Sequence, residues 1–192
     1  LTIPNSVTEI DDYAFYNCAG FTGALTIPNS VTEIGDYAFA GCSGFTGALT
    51  IGHSVTTVGP SAFYNCSGFT QVKFNAVNCE DVNRDIKPFQ GCGGTLTIGG
   101  SVQRIPAWMF YGCSGFTGSL VIPNSVTEIG DCAFYNCSGF TGSLTIGNSV
   151  TEIGALAFDG CSSFTGTLTI PNSVTTIGPS AFCYCSGFTQ VK

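Results

Sequence analysis

The chain has few basic residues. Its 192 residues include five Lys and Arg against twelve Asp and Glu, which gives a formal net charge of −7. Proteins that bind nucleic acid or anionic membrane surfaces present basic patches to them. The sequence therefore excludes both nucleic acid and an anionic membrane surface as expected partners.

Long apolar runs are missing too. A transmembrane helix needs about 20 consecutive apolar residues, and no segment approaches that length, so we expect no membrane insertion. Charged residues make up only 9% of the chain, which leaves Thr, Ser, Asn and Gly to form the polar surface. The sequence has no initiator Met and no signal peptide, and it begins at the first position of a repeat. We interpret it as a fragment of a longer protein.

No catalytic or cofactor-binding motif is recognisable. His53 is the only histidine. It lies in a turn without an acidic partner, so a surface substitution is favoured over a general base. No CxxC pair suggests zinc, and the SGFTG loops lack the following Lys and long helix of a phosphate site. Acidic residues stack, Glu9 with Glu33 and Glu128 with Glu152. Solvated carboxylates are favoured there over a weak calcium site. We expect no enzyme, no metal and no cofactor.

The sequence consists of repeats. The stretch LTIPNSVTEIGDYAFAGCSGFTGA, from Leu25 to Ala48, recurs along the chain with small changes. A period of 20–50 residues is typical of a solenoid, in which each copy buries its apolar face against its neighbours. We predict one solenoid over 1–192, with about eight copies of 23–24 residues that start at Leu1, Leu25, Leu49, Val72, Leu96, Leu120, Leu144 and Leu168.

Each copy predicts the same local structure. Leu25–Ile27 alternates apolar, polar and apolar residues, as a half-buried strand does. Val31 and Ile34 are expected to point inward. Asp36 is predicted to cap a short helix over Tyr37–Cys42, which only packing can stabilise because it is about one turn long. Two phenylalanines in most copies are predicted core residues.

The outward residues of the predicted strands form a candidate binding face, which we call the threonine column. It is almost uniform, whereas binding energy usually depends on Trp, Tyr and Arg anchors. Such a surface fits either a spacer or a face that binds weakly at many places. Its members are Thr2, Thr26, Thr50, Lys73, Thr97, Val121, Thr145, Thr169 and Lys192. Aromatic side chains are expected on the opposite, helical side, as Tyr16, Tyr64, Tyr111 and Tyr135.

The fourth copy, Val72–Thr95, is irregular. It carries an insertion before Phe89 and lacks the Phe-Thr-Gly that normally follows the cysteine. Mixed charges cluster in it and could orient a partner. We predict that a specific partner contacts this unit; the alternative, slightly favoured, is a solvated loop that accommodates a change of register. The candidate contacts are Glu80, Asp81, Arg84, Asp85 and Lys87, beside Lys73.

Eight of the eleven cysteines share one repeat position, and we call them the cysteine ladder. Buried cysteine behaves as a small hydrophobic residue, and parallel Cβ vectors disfavour disulfides between neighbouring copies. We therefore predict reduced, buried thiols for the ladder, which comprises Cys18, Cys42, Cys66, Cys92, Cys113, Cys137, Cys161 and Cys185. Whether Cys79, Cys132 and Cys183 form any bond is left open.

The repeated pattern LxI-P-x-S-V-x-x-I-G-x-x-A-F-x-x-C-S resembles the BspA-type leucine-rich repeat over nearly the whole chain. The residues that carry it in one copy are Ile27, Pro28, Val31, Ile34, Gly35, Ala38, Phe39 and Cys42. The resemblance implies a right-handed leucine-rich-repeat superhelix with one parallel β-sheet and short helices on the opposite side. The asparagine lies one residue early, which puts an internal asparagine ladder in doubt.

The same resemblance implies a function. Proteins of this family are typically cell-surface or secreted proteins of anaerobic bacteria and are associated with adhesion. We therefore expect a non-catalytic bacterial module that binds a protein or a host or bacterial surface ligand. Two alternatives stay open, namely a passive stalk and a specificity domain attached to an enzyme outside this fragment.

Overall fold

The computed structural model describes residues 1–82 and 85–192, and short parallel strands dominate its regular structure. In the described part of the chain there are fifteen: β1 (Glu9–Ile10), β2 (Leu25–Thr26), β3 (Glu33–Ile34), β4 (Ala48–Ile51), β5 (Thr57–Val58), β6 (Gln71–Phe74), β7 (Thr95–Ile98), β8 (Arg104–Ile105), β9 (Leu120–Val121), β10 (Glu128–Ile129), β11 (Leu144–Thr145), β12 (Glu152–Ile153), β13 (Gly166–Leu168), β14 (Thr176–Ile177) and β15 (Phe188–Val191).

The strands lie in two rows along a stack of coils. The first row contains the predicted strands and is hydrogen-bonded in the orders β2-β4-β6-β7, β9-β11 and β13-β15. The second row has the orders β1-β3-β5 and β8-β10-β12-β14. The prediction of a single sheet missed this second row, because a two-residue strand between turns is too short to show a periodic pattern. The parallel-strand solenoid itself is confirmed.

Alternating burial explains the first row. Leu25 and Ile27 are buried on either side of exposed Thr26. Leu25 pairs with Leu49 and Thr26 with Thr50, so equivalent residues of successive coils stand side by side. Each coil therefore places its apolar residues on those of the next, and the core runs along the stack between the two rows and the turns.

The predicted helix over Tyr37–Cys42 is wrong: no helix is present among the described residues. Tyr37 has a φ of 53° and Gly41 a φ of 77°, and such left-handed conformations do not occur within an α-helix. Alternate N–H groups donate to the next coil instead, Tyr37 to the carbonyl of Pro60 and Phe39 to that of Ala62, both at 2.8 Å. A stack of turns replaces the helices, since neighbouring coils supply the missing acceptors.

Asp36 is not a helix cap either. Its own N–H donates to Asp12 Oδ1 at 2.7 Å, and the N–H of Ala155 donates to Asp131 Oδ1 at 2.6 Å. The aspartate at this repeat position therefore joins two coils. The sequence predicts that this aspartate carboxylate accepts a hydrogen bond from a free backbone N–H. In the structure that N–H belongs to the next coil and not to the aspartate's own coil.

Two stacks of phenylalanine rings fill the core. One runs without interruption through all the coils, and its neighbouring ring centroids lie 5.0–5.4 Å apart. Phe134 packs between Phe110 and Phe158, as predicted. The second stack is broken between Phe69 and Phe116, where the irregular copy has no equivalent residue. The first stack comprises Phe15, Phe39, Phe63, Phe89, Phe110, Phe134, Phe158 and Phe182.

In the irregular copy, a phenylalanine in place of the usual isoleucine keeps the core filled. Phe74 stands where most copies have Ile, is fully buried, and meets Phe110 edge-on at 5.4 Å. The second row of strands is interrupted at this coil, between β5 and β8. The insertion therefore changes the outer path of the chain and leaves the core continuous.

Candidate functional site

The structure aligns the threonine column. Strand pairing sets Thr26 beside Thr50, Thr50 beside Lys73, and Lys73 beside Thr97; in the later coils Thr145 stands beside Val121 and Thr169 is also exposed. Among the described residues, Thr97 is the one member threonine whose hydroxyl has a hydrogen-bond partner, Gln71 Nε2 at 3.0 Å. The remaining hydroxyls are available to solvent or to a ligand.

A second line of threonines is structural. The hydroxyl of Thr32 donates to the carbonyl of Thr8 at 3.2 Å, that of Thr56 to Thr32 at 3.1 Å, and that of Thr151 to Thr127 at 3.1 Å. These side chains reinforce the contact between coils and are not free to bind. The residue type alone does not distinguish these structural threonines from those of the threonine column.

Two shallow grooves border the threonine column. One, of about 500 Å³, runs past Thr26, Thr50, Asn29 and Asn75, and the other, of about 330 Å³, lies beside Thr145 and Thr169 in later coils. Asparagines in this turn join coils from outside the core: Asn29 Oδ1 accepts from the N–H of His53 at 3.1 Å, and Asn124 Oδ1 from that of Asn148 at 2.8 Å.

The charged residues of the irregular copy do not form one cluster. Lys73 lies in the threonine column, Lys87 lies 5.6 Å from the ring centre of Tyr111, and Asp81 pairs with Arg104 on β8. Glu80 and Asp85 are exposed. Arg84, also a predicted contact, lies outside the described residues. The predicted set is thus distributed over three separate places.

Arg104 joins the irregular copy to the next coils. Its guanidinium lies 2.8 Å from both Asp81 Oδ1 and Glu128 Oε1, and hydrogen bonds to Asp81 and then Glu128 raise the Arg104 pKa. Burial alone would raise the pKa of Asp81, but its hydrogen bonds with Arg104 and the Ala107 N–H outweigh burial and lower it. Asp81 therefore anchors the coil and is poorly placed to contact a partner.

An acidic groove lies beside this ion pair. It has a volume of about 170 Å³, and its carboxylates come from Asp12, Glu33, Asp36, Glu80 and Asp81. Burial, followed by the charge of Asp12, raises the pKa of Asp36. In the described part of the chain, however, no group of three or more His, Cys, Asp or Glu side chains has the geometry to hold a metal ion.

All eleven cysteines are free, and most are buried. The ladder thiols have a specific role: Cys66 Sγ donates to the carbonyl of Phe39 and Cys137 Sγ to that of Phe110, both at 3.0 Å. In both cases the accepting carbonyl belongs to the stacked phenylalanine of the preceding coil, whereas Cys113 Sγ donates to the carbonyl of Tyr111 in its own coil at 3.9 Å. Burial raises the pKa of Cys66 to about 12 and that of Cys137 well above its ordinary value. These groups are therefore neutral, unreactive thiols.

Aromatic side chains cluster on the turn side of the coils. Tyr13 stacks on Tyr37 at 5.2 Å. Tyr111 stacks on Tyr135 at 4.9 Å and meets Trp108 at 5.1 Å. The sequence predicted Tyr111 and Tyr135 on this side but not Trp108. The chain's single tryptophan was detectable because it stands at the repeat position of Tyr13 and Tyr37.

The ring of His53 contacts a serine and, among the described residues, no acidic side chain. Its Nδ1 lies 3.0 Å from the hydroxyl of the adjacent Ser54, and both residues sit in the turn that follows the first row of strands. Among the described residues there is also no helix long and apolar enough to cross a membrane.

In a comparison with known families, the chain matches the BspA type Leucine rich repeat region, in six copies over residues 1–117 and 104–192. Comparison with curated proteins gives no match. Among solved structures, the leucine rich repeat protein of T. pallidum is 25% identical, with a TM-score of 0.59 over 95% of this chain and 72% of that one.

Two further solved structures are similar. The leucine-rich repeat protein of Bacteroides ovatus is 25% identical, with a TM-score of 0.48 over 97% of this chain and 58% of that one. A leucine rich cell surface protein of Faecalibacterium prausnitzii is 22% identical, with a TM-score of 0.42 over 97% and 64%. This chain thus spans less than two thirds of either protein.

The relatives imply a repeat module for protein interaction, with a fold that is generally non-catalytic. The family match extends from residue 1 to residue 192, and the coils of parallel strands agree with it. The chain belongs to the BspA-type leucine-rich repeat family.

Proposed function

We propose that the chain is a non-catalytic module, at the bacterial cell surface or secreted, that mediates adhesion by binding a protein or another surface ligand. The family supports the location and the adhesive role. The absence of a catalytic constellation among the described residues supports binding over chemistry.

A specific partner needs a surface that differs between coils, because identical coils offer many equivalent registers along which a partner can slide. The irregular copy, Val72–Thr95, is the observation that carries this proposal. It supplies Lys73 to an otherwise nearly uniform threonine column and contributes the exposed Glu80 to the acidic groove. Charges of this kind fix orientation and accelerate encounter more than they add affinity.

The test exchanges one coil. The protein is displayed on a non-adherent bacterium, and attachment to epithelial cells and to immobilised extracellular-matrix proteins is measured. Val72–Thr95 is replaced by a copy of Leu25–Ala48, which has the same length. We expect attachment to fall at least tenfold while thermal unfolding stays cooperative.

A matched control replaces Leu1–Ala24, a regular coil of equal length, by the same copy, and it should keep attachment. If the native chain attaches no better than the display host alone, adhesion is the wrong function and a passive stalk is favoured. If attachment survives the exchange at Val72–Thr95, the irregular copy is not the binding surface and the repetitive faces of the solenoid are left to bind the partner.

A further inference from the structure

Three tyrosines of the first two coils are in contact at the surface, and we call them the tyrosine cluster. Tyr13 is 54% and Tyr16 55% exposed. Tyr13 stacks on half-buried Tyr37 with ring centroids 5.2 Å apart, and Tyr16 meets Tyr13 edge-on at 5.5 Å. Tyrosine is enriched at protein interfaces and at the residues that carry their binding energy. A tyrosine cluster that remains exposed is therefore a candidate contact surface.

The acidic groove adjoins the tyrosine cluster. Asp12 precedes Tyr13 in the chain, and Asp36 precedes Tyr37 at the same repeat position. Asp12 Oδ1 accepts from the Asp36 N–H at 2.7 Å, and the Asp36 carbonyl accepts from the Tyr13 N–H at 2.8 Å. Both aspartates line the acidic groove, together with Glu33. Hydrogen bonds thus join the groove and the cluster as neighbouring parts of one surface.

No basic residue balances these acids. The first three coils, residues 1–71, contain five Asp and Glu and no Lys or Arg, so they carry −5 of the net charge of −7. Glu9 and Glu33 stand side by side in β1 and β3, and like charges in such positions repel. Glu128 also stands beside a glutamate, but it pairs with Arg104 at 2.8 Å. A positively charged ligand would supply the partner that the first coils lack.

One lysine of the chain shows how these repeat positions hold a cation. Lys87 stands at the repeat position of Tyr13, two residues before the stacked phenylalanine. Its Nζ lies 5.6 Å from the ring centre of Tyr111, which holds the Tyr16 position in the next coil. Cationic side chains are attracted to an aromatic face within about 6 Å. The tyrosine cluster offers similar rings, and none of the described cations lies over them.

We propose that the tyrosine cluster and the adjoining acidic groove bind a basic segment of a protein partner, with one Arg or Lys over the rings and another beside the carboxylates. The charge of −5 on these coils attracts and orients such a segment. This inference rests on the proposed function and names the chemistry of its partner, because the groove includes Glu80 of the irregular copy.

The test uses a defined probe. Uniformly ¹⁵N-labelled protein is titrated with the acetylated and amidated peptide Arg-Gly-Arg-Gly-Arg and, separately, with the same peptide carrying neutral citrulline in place of each arginine. We expect saturable shifts of the amide signals of Tyr13, Asp36 and Tyr37 with the arginine peptide, and at least tenfold weaker binding of the citrulline peptide. Equal binding of the two peptides, or shifts centred on Glu128 and Glu152, would overturn the proposal.

Asp12→Asn tests the charge. The amide oxygen can still accept from the Asp36 N–H, so the variant should fold, and it should bind the arginine peptide several-fold more weakly. Asp131→Asn is the matched control, because Asp131 is exposed at the same repeat position and accepts from the Ala155 N–H at 2.6 Å. It should leave binding unchanged. An equal effect of the two substitutions would mean that the peptide follows only the overall negative charge, and would overturn the site.

Tyr13→Leu tests the rings. Leu156 occupies the same repeat position with the same φ of 56°, so leucine is compatible with the backbone there. The variant should lose peptide affinity several-fold. Tyr64→Leu is the control, at a 38% exposed tyrosine without a ring partner among the described residues, and it should keep full affinity. Unchanged affinity of Tyr13→Leu would remove the tyrosine cluster from the site and overturn the proposal.

The peptide experiment is independent of the attachment experiment. Both coil exchanges keep Asp12, Tyr13, Asp36 and Tyr37, so peptide binding should persist in both. A native chain that binds the peptide but attaches to no surface would refute adhesion and support this site. A chain that attaches but does not bind the peptide would overturn this site and leave adhesion standing.

Discussion

The side chain of Asn65 occupies the space directly against Gly91 of the next coil: a β-carbon at Gly91 would lie 2.5 Å from Asn65 Oδ1. Both residues have positive φ, 56° at Asn65 and 85° at Gly91. The same arrangement pairs Asn17 with Gly41 and Asn136 with Gly160. An asparagine at this position of one coil thus requires a glycine in the next.

Gly91→Ala should therefore be more destabilising than an ordinary glycine substitution. A non-glycine residue in the left-handed conformation costs about 1–2 kcal/mol, and overpacking adds about 1–3 kcal/mol. Gly112 is the matched control, because its φ is 69° and the nearest atom to an added β-carbon, Gln90 Nε2, lies at an ordinary 3.6 Å. Gly112→Ala should show the conformational cost alone in urea unfolding.

A double substitution separates the two costs. Asn65→Gly removes Oδ1, the atom nearest to the added methyl group at 2.5 Å, and leaves the backbone Cα and N of residue 65 at 3.0 and 3.1 Å. Asn65→Gly combined with Gly91→Ala should therefore recover part of the overpacking loss. Equal destabilisation by Gly91→Ala and Gly112→Ala, or no recovery in the double variant, would contradict the steric contact.

This column shows what the sequence could have revealed and what it could not. The residue before each ladder cysteine is Asn or Gly in seven of eight copies, with Tyr184 as the exception. Asn and Gly are the residues that tolerate left-handed conformations, so the pattern argues against a helix through Tyr37–Cys42. The apolar spacing of Ala38, Phe39 and Cys42 is compatible with either structure, and it led to the wrong prediction.

Repetition made the strands, the buried phenylalanines and the cysteine ladder predictable, because each occurs many times. Residues that depart from the repeated pattern were not predictable. The pairing of Asp81 with Arg104 depends on how the insertion shifts the register of one coil. Such a single shift leaves no periodic signal in the sequence. The candidate surfaces consist mainly of such exceptions.

The six buried ladder thiols, from Cys42 to Cys161, should be unreactive in the folded protein. Burial raises their pKa values, to about 12 for Cys66, so almost no thiolate exists at neutral pH, and the thiolate is the reactive form. We expect a thiol reagent to modify half-buried Cys18, Cys183 and Cys185 first, and all eleven cysteines only in denaturant. Mass spectrometry of the labelled protein gives the order. Immediate modification of Cys66 or Cys137, or cysteines found bonded in pairs, would contradict the buried ladder.

Phe134→Ala should cost about 3–5 kcal/mol, the usual range for a phenylalanine removed from a core. The variant loses three ring contacts, with Phe110 at 5.4 Å, Phe158 at 5.2 Å and, edge-on, Phe140 at 6.5 Å. Repeat proteins are stabilised mainly by nearest-neighbour interfaces, so hydrogen exchange should increase most in the adjoining coils.

Phe15→Ala is the control for position in the stack. Phe15 is half-buried and has one stacked neighbour, Phe39, so its removal should be less destabilising. Uniform loss of protection along the whole chain in Phe134→Ala would argue against nearest-neighbour behaviour and for a single cooperative core.

The ion pairs of Arg104 should make stability depend on pH. The pKa of Asp81 is lowered in the folded protein, so its contribution is complete above its unfolded pKa, near 4, and is lost as the pH falls through the lower folded value. Arg104→Met should therefore lower the free energy of unfolding by about 0.5–1 kcal/mol at pH 7, the range for partly exposed pairs. The difference from the native chain should shrink as the pH falls through the lowered pKa of Asp81 in the folded protein.

Lys73→Met is the matched control, because Lys73 is an exposed cation that makes no ion pair with the described residues. It should change stability little at any pH. A double-mutant cycle of Arg104→Met with Asp81→Asn, in urea at low and high salt, isolates the pairwise energy, which should weaken in 1 M NaCl. A loss in Arg104→Met that is the same at pH 7 and pH 2 would mean that the arginine stabilises the coil by packing of its stem, and that its charge does not hold the irregular coil to its neighbours.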